Sequence, residues 1–486
     1  MIVPILYKRR SDMPPGPIPL PVVGNLFQVG TKPHISLLNL SHIYGGAMTL
    51  FLGKVQSVVI TDPEYIKEVF VNQSDYTTDR FLSNTTQIIG NNIDLLFSNG
   101  DYWKRLRFIL ASCFIKMKSH LSIIEKIQTE TFRLTDAFQP FVETGEPVSP
   151  RKFFKIFTLN IIMKLLFDEI VGYNEKEEND VIEAVTWVEH ELAVGNIPDL
   201  LPFLSVFFNS SREKLKKSLE KVWVYSKAAI TRHRQALAKN PNRCDDLMDM
   251  ILIEIAKSED PDFFTDEGIS RISTDLLLSG TETSSSTLEW LFLFLMNYPH
   301  YMLKIKEELS KVCAPSERIK LTHRQSTPFL VACIKEVLRI RPVGALSLPR
   351  YASRDLTVGP YTIPKGTQLL MNVYGLAMSP KFWEDPEEFR PERWMNENNV
   401  STGNDYKNLA FGIGSRSCIG SNLAKDEMYL AAANLLHQYN FKPANVDPKT
   451  DRLPEDGHFG IALSCTEYKF YVSNADSPNS TITQHA

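Results

Sequence analysis

One large mixed domain, mainly α with a smaller β-rich part, is the fold class that the 486 residues predict. Three observations carry this. Helix signals dominate from about residue 100 to about residue 340. After Arg341-Pro342 the punctuation changes to Gly359, Pro360, Pro364 and Gly366, turn formers spaced too closely for long helices. No internal repeat or low-complexity linker divides the chain, so one domain fits better than the three that about 150 residues per domain would suggest. The composition is 43% hydrophobic, 10% aromatic and 23% charged, which excludes global disorder.

The elements follow in order. Met1 to Tyr7 is apolar with Pro4 inside it, and Lys8, Arg9 and Arg10 follow. That order is the reverse of a secretory signal. Residues 1–12 read either as the remnant of a membrane anchor with a basic flank or as a frayed terminus. No run of 18 apolar residues exists, so no complete membrane-spanning helix is encoded. Residues 13–25, MPPGPIPLPVVGN, form a stiff extended hinge, because proline fixes φ and removes donors. Ala47 to Thr61 reads as a β-hairpin turning at Gly53-Lys54. Asp266 to Asn297 reads as one helix about 48 Å long, with acids in its first turn and Pro299 beyond its end. Leu330, Ile334, Val337 and Leu338 mark the buried face of another helix. The domain ends at about residue 473, and the polar tail 474–486 is expected to be disordered.

Charge and cysteine usage narrow the function. With 53 Lys+Arg against 57 Asp+Glu, the formal charge is −4, a poor basis for binding nucleic acid. Six cysteines without regular spacing make no disulfide framework and point to a reducing compartment.

The strongest motif is Phe411-Gly412-Ile413-Gly414-Ser415-Arg416-Ser417-Cys418-Ile419-Gly420. It fits F-x-x-G-x-R-x-C-x-G at all five fixed positions, which chance would produce in about one of 10⁴ chains this long. It resembles the haem-binding loop of the cytochrome P-450 family, the haem-thiolate monooxygenases. A thiolate pushes charge onto haem iron and favours O–O cleavage. It needs N–H donors around it and shelter from oxidation. The resemblance makes Cys418 the axial iron ligand of haem b and places Phe411 over the sulfur. Gly414 and Gly420 allow tight turns near the porphyrin, and Arg416 pairs with a propionate. Cys113, Cys244, Cys313, Cys333 and Cys465 are read as inert thiols.

Glu336-x-x-Arg339 lies on a predicted helix, and Pro391-Glu392-Arg393-Trp394 follows downstream. Residues three apart share a helix face, so Glu336 and Arg339 can pair. A bare pair is usually solvated; the resemblance implies a buried triad with Arg393, which supports folding. Trp394 stands where many relatives have Phe, expected to affect packing only.

Ser279-Gly280-Thr281-Glu282-Thr283-Ser284 sits in the middle of the long helix, where such residues are poor formers. It is either a packing notch beside another element or a groove for O₂, with hydroxyls opening the helix locally. Similarity to the family's A-G-x-(D/E)-T implies that Glu282 and Thr283 relay protons, with Ser279 in place of the frequent Ala. Trp103-x-x-x-Arg107 and Arg350 resemble the family's other propionate contacts. Lys104, Arg105, Lys116 and Lys118 form a run that is either a solvated face or, by resemblance, the docking site of the electron donor.

The resemblance spans roughly Met13 to Asn474 and is to microsomal eukaryotic members. It implies a single mainly helical domain over residues 26–473 with a small β-rich lobe. It also implies a membrane surface at the cytosolic face of the endoplasmic reticulum, or a soluble cytosolic protein if Met1 is the true start. The implied reaction inserts one atom of O₂ into a lipophilic terpenoid, sterol or fatty-acid-like substrate. Electrons would come from NADPH through a separate flavoprotein reductase, since no dinucleotide fingerprint follows a strand here. Two alternatives are a haem-thiolate isomerase or dehydratase needing no external electrons, and a haem-based sensor or carrier. Retention of Glu282 and Thr283 favours the monooxygenase, and the lack of a spare domain disfavours the sensor.

Overall fold

A computed structural model of the chain describes residues 7–173, 185–189, 197–396, 408–447 and 450–475. Positions 1–6 of the possible anchor remnant and 476–486 of the tail lie outside the described residues. The hinge is extended only over residues 14–19 and then turns back on itself, with Leu20 and Gly24 exchanging backbone hydrogen bonds at 2.9 Å. Two helices, Leu26–Val29 and Pro33–Tyr44, separate it from the expected hairpin, β1 (Ala47–Leu52) and β2 (Val55–Ile60), which turns at Gly53 with φ of 57°. Its β-branched and apolar residues are buried, as sheet packing favours.

Helices then dominate, and seven of them position the site. They are α1 (Gly100–Met117), α2 (Leu121–Asp136), α3 (Pro150–Phe167), α4 (Asn209–Lys239), α5 (Asp266–Asn297), α6 (Pro328–Ile340) and α7 (Ser421–Gln438). The long helix α5 has the boundaries that its sequence predicts. Thr265 caps it by accepting the Gly268 N–H at 3.2 Å, and Pro299 begins the next helix. Its second half, Leu288 to Met296, is buried all round, as a central helix must be. Burial of Trp290, Phe292 and Phe294 contributes about 1.5–3 kcal/mol each. On α6, Leu330, Ile334, Val337 and Leu338 are all buried.

Strands return after α6: β3 (Arg350–Tyr351), β4 (Leu356–Val358), β5 (Tyr361–Ile363), β6 (Gln368–Met371), β7 (Tyr439–Pro443), β8 (Gly457–Phe459), β9 (Leu463–Cys465) and β10 (Phe470–Asn474). The largest sheet runs β1-β2-β6-β3, with β6 parallel to β2 and antiparallel to β3. The N-terminal hairpin therefore shares a sheet with residues about 300 positions later. The last strand includes Asn474, one residue past the expected domain end. Among the described residues, no helix is long and apolar enough to cross a membrane.

Candidate active site

The thiol loop lies between β6 and α7. Its turn is closed by the Cys418 N–H donating to the Phe411 carbonyl at 2.8 Å and the Ser417 N–H donating to Gly414 at 3.0 Å. Gly414 has φ of 72°, and a Cβ there would stand 2.3 Å from the Phe70 carbonyl oxygen. Conformation and close backbone approach both demand glycine, but the approach is to the helix around Phe70. A Cβ on Gly420 would meet nothing closer than 3.8 Å.

Cys418 is enclosed by protein, yet its side chain is open because it faces a cavity. Burial raises the thiol pKa, while the Gly420 N–H and the charges of Arg107 and Lys425 act to lower it. A cation bound at the sulfur would complete what those groups begin.

Four guanidiniums share the cavity: Arg80, Arg107, Arg350 and Arg416. Burial, and for Arg80 and Arg416 mutual repulsion, lowers their pKa values, to about 9 for Arg80, 10 for Arg350 and 8 for Arg416. A guanidinium keeps its proton at neutral pH, so the shifts express a demand for counter-anions. Asp94 offsets the cluster in part. Arg350 Nε and Nη1 are buried with no hydrogen-bond partner, while its Nη2 donates to the Ile413 carbonyl at 3.1 Å. Arg107 Nη2 donates to Ser417 at 2.7 Å, so both arginines also hold the thiol loop. Arg416 lies 3.8 Å over the Trp103 ring, and its donors go to the carbonyls of Thr78, Leu95 and Ser98. It therefore offers an anion charge more than free donors. An open thiol beside four crowded guanidiniums with orphaned donors fits a planar dianionic group with a thiolate-bound metal, which is the chemistry of haem b.

Residues 14–472 match the family model of cytochrome P450. The chain belongs to the cytochrome P450 family. It is similar to "Probable cytochrome P450 516A1" of Dictyostelium discoideum, 49% identical over 469 residues, covering 95% of each chain. It is also similar to "Probable cytochrome P450 516B1" of the same organism, 38% identical over 476 residues and covering 96% of this chain and 95% of the relative. A third relative is "Ferruginol synthase" of Isodon rubescens, 31% identical over 469 residues, covering 94% and 93%. Membership makes the chain an oxidoreductase of the haem-thiolate monooxygenase type, with haem b as cofactor and a redox partner, O₂ and a small molecule as co-reactants.

Ser279, Thr283 and Thr287 recur every four residues on α5 and line the cavity. Each hydroxyl donates to the carbonyl four residues earlier, at 2.6, 2.6 and 2.8 Å. The helix stays continuous, so the expected local opening is absent: the hydroxyls bridge the ladder without breaking it. A Cβ on Gly280 would stand 2.8 Å from the Ile162 side chain, so this glycine is the packing notch against α3. Glu282 lines the cavity and reaches the other way as well, with Oε2 3.7 Å from Lys155 Nζ. Lys155 pairs more closely with Glu189, at 2.5 Å.

Glu336, Arg339 and Arg393 meet away from the cavity. Arg339 is bidentate to Glu336 at 2.8 and 2.9 Å, and Arg393 Nε donates to it at 2.8 Å. Arg339 also satisfies the carbonyls of Ala377, Pro386 and Glu388. Trp394 corrects the sequence expectation: its Nε1 donates to Glu336 Oε2 at 2.8 Å, so it is a polar member of the group and not packing alone. A phenylalanine has no such donor.

The basic run divides along α1. Arg105 pairs with Asp101 at 3.4 Å and Lys116 with Glu254 at 2.7 Å, whereas Lys104 and Lys118 have no described carboxylate within 4 Å. Between the two ends Phe108 and Ile115 are 78% and 73% exposed. A groove lined by Ile115, Lys118, Ile123 and Leu423 reaches Cys418 from this side.

Sequence reasoning missed Arg80 and Glu427. Arg80 carries no local motif; only its bridge to Arg350 brings it to the site. Glu427 lies nine positions after Cys418, is fully buried beside Ser284, and has its pKa raised to about 8 by burial. Its place two turns into α7, facing α5, was the available signal.

Proposed function

We propose that the protein inserts one atom of O₂ into a C–H bond of a lipophilic substrate, with electrons delivered from NADPH by a separate flavoprotein reductase. The open Cys418 thiol facing a cavity with four guanidiniums, one of them the unsatisfied Arg350, is the observation that carries this reading. Haem, when bound, supplies the activation of O₂. Cys418 would hold its iron, helped by the Gly420 N–H. Arg107, Arg350 and Trp103 would take its propionates, and Arg80 and Arg416 would add positive potential. Phe411 and Gly414 shape the loop.

Glu282 and Thr283 manage protons in this reading. Thr283 would turn its hydroxyl from the Ser279 carbonyl toward the cavity and give up its proton there, while Glu282 returns one to Thr283 Oγ1 and is itself reprotonated at Oε2 from the Lys155 side. Lys104, Arg105, Lys116 and Lys118 would steer an acidic reductase surface, with Phe108 and Ile115 in dry contact between them. Ile18, Phe27, Phe203 and Phe207 are exposed, and the β1–β2 turn touches Leu200, which brings these two apolar segments to one side. That face would rest on a membrane surface, on the cytosolic side of the endoplasmic reticulum.

The test is the absorption of the reduced carbon-monoxide complex. The wild-type holoprotein gives the thiolate-type band and Cys418→Ser loses it; a variant that keeps the band overturns the assignment. With reductase present, Thr283→Ala consumes NADPH while releasing peroxide, and unchanged coupling removes Thr283 from the proton path.

A further inference from the structure

The wall that faces the substrate carries a selection against charge. Apart from Arg80, Arg107, Arg350 and Arg416, the described cavity lining contains no lysine, arginine or histidine. Those four crowd at the edge where they hold the thiol loop and its neighbouring carbonyls. The remaining ionisable lining groups, Glu282 and Glu427, are both acids. Most of the remaining lining is apolar, Ile89, Phe97, Leu276, Val343, Leu346 and Ile461 among others, interrupted by hydroxyl side chains. Once haem propionates occupied those four guanidiniums, a carboxylate on this wall would meet no free counter-charge, and an unpaired buried charge is strongly disfavoured.

Two of these hydroxyls, on Ser347 and Ser279, are held in complementary ways. Ser347, in the loop after α6, is locked to β6: its N–H donates to the Met371 carbonyl, and its Oγ accepts the Met371 N–H, both at 2.9 Å. Its own hydroxyl proton has no acceptor among the described residues. It therefore presents a donor to the cavity. Ser279 gives its proton to the Asp275 carbonyl at 2.6 Å and presents only lone pairs.

Building on the proposed monooxygenase, we infer that the substrate is an uncharged lipophile and not a free fatty acid, carrying an oxygen that accepts a hydrogen bond from Ser347 Oγ. A hydroxyl or carbonyl answers this donor; a carboxylate is refused by the wall around it. Ser279 accepts in turn from a substrate hydroxyl placed near α5.

The experiment titrates purified holoprotein, followed by its Soret absorption, with 1-dodecanol and with laurate, which share a chain length and differ in charge. Dodecanol is expected to bind at least ten-fold more tightly at pH 7.4. Ser347→Ala should raise the dodecanol Kd about five-fold and leave laurate unmoved. Ile461→Arg, which places a cation in the lining, should bring laurate binding up to that of dodecanol. Equal or tighter binding of laurate by the wild type, or a dodecanol Kd indifferent to Ser347→Ala, overturns the inference. Absence of the thiolate-type carbon-monoxide band is a different failure, that of the monooxygenase reading itself.

Discussion

Two groups of buried arginines in this protein are built on opposite logic. Arg339 and Arg393 enclose Glu336, and Arg339 fills the carbonyls of three further residues. That group closes on itself. Arg80, Arg107, Arg350 and Arg416 face a cavity with lowered pKa values and two unpartnered nitrogens on Arg350. That group is incomplete without an anion. A buried charge satisfied by the chain serves the fold; one left unsatisfied marks where something else binds.

The largest effect should come from breaking the closed group. Glu336→Ala leaves two guanidiniums buried without their carboxylate, a loss of about 3–5 kcal/mol. Urea unfolding of the purified variant should show that loss, or the variant should fail to accumulate folded. A stability within about 1 kcal/mol of wild type would mean that the triad is ornamental.

Breaking the open group should leave stability alone and release the ligand. Arg350→Met removes a charge with a single protein hydrogen bond, from Nη2 to the Ile413 carbonyl, and two unpartnered nitrogens, so the unfolding free energy of the haem-free protein should change by only about 1 kcal/mol. Haem transfer from the holoprotein to apomyoglobin should accelerate by about 10- to 100-fold, the worth of one or two charge-assisted hydrogen bonds. Destabilisation of the fold without faster haem loss would put Arg350 in the same class as Arg339.

The same contrast explains what could be read in the sequence. The hairpin at 47–61, the boundaries of α5 and the buried face of α6 were legible because local signals decide them: turn residues, caps and apolar periodicity. The Cys418 loop was legible because its chemistry needs a dense local pattern. Arg80 was not, since a single arginine beside an aspartate looks like surface charge until β3 brings residue 350 against it. The role of Trp394 was hidden for a related reason. Its donor meets Glu336, 58 positions earlier, and nothing local to Pro391–Trp394 announces that encounter.

Trp394→Phe sharpens this point with a smaller effect. It keeps the ring and removes one donor to a buried carboxylate, a cost of about 1.5–3 kcal/mol. The urea midpoint should fall measurably, less than for Glu336→Ala. An unchanged midpoint would return Trp394 to a packing role.

The smallest test carries the comparison to two histidines. His233 is the closed case: Nε2 lies 2.9 Å from Asp246, Nδ1 lies 2.8 Å from the Ala229 carbonyl, and Asp246 raises its pKa above 6.5 against the pull of burial. A raised pKa gives stability that is full below 6.5 and is lost as pH climbs through the folded-state value. His34 is the open case. It is stacked on Phe459 and edge-on to Tyr374, its buried Nδ1 has no partner, and burial, aided by Arg341 and Lys32, lowers its pKa to about 4. Its stability is present above 6.5 and is lost as pH falls toward 4, because the unfolded chain takes up the proton first. Between pH 7 and 5.5 this loss is about 1 kcal/mol. His34→Phe keeps an aromatic ring in the stack and cannot be protonated, so the fall in urea midpoint over that pH range should flatten. His233→Gln should lower the midpoint most below pH 6.5, where the pair with Asp246 contributes in full, and progressively less as pH climbs above the folded-state value. If both variants shift the same limb, the distinction between satisfied and unsatisfied burial fails for these side chains, and the histidines respond to something other than their own partners.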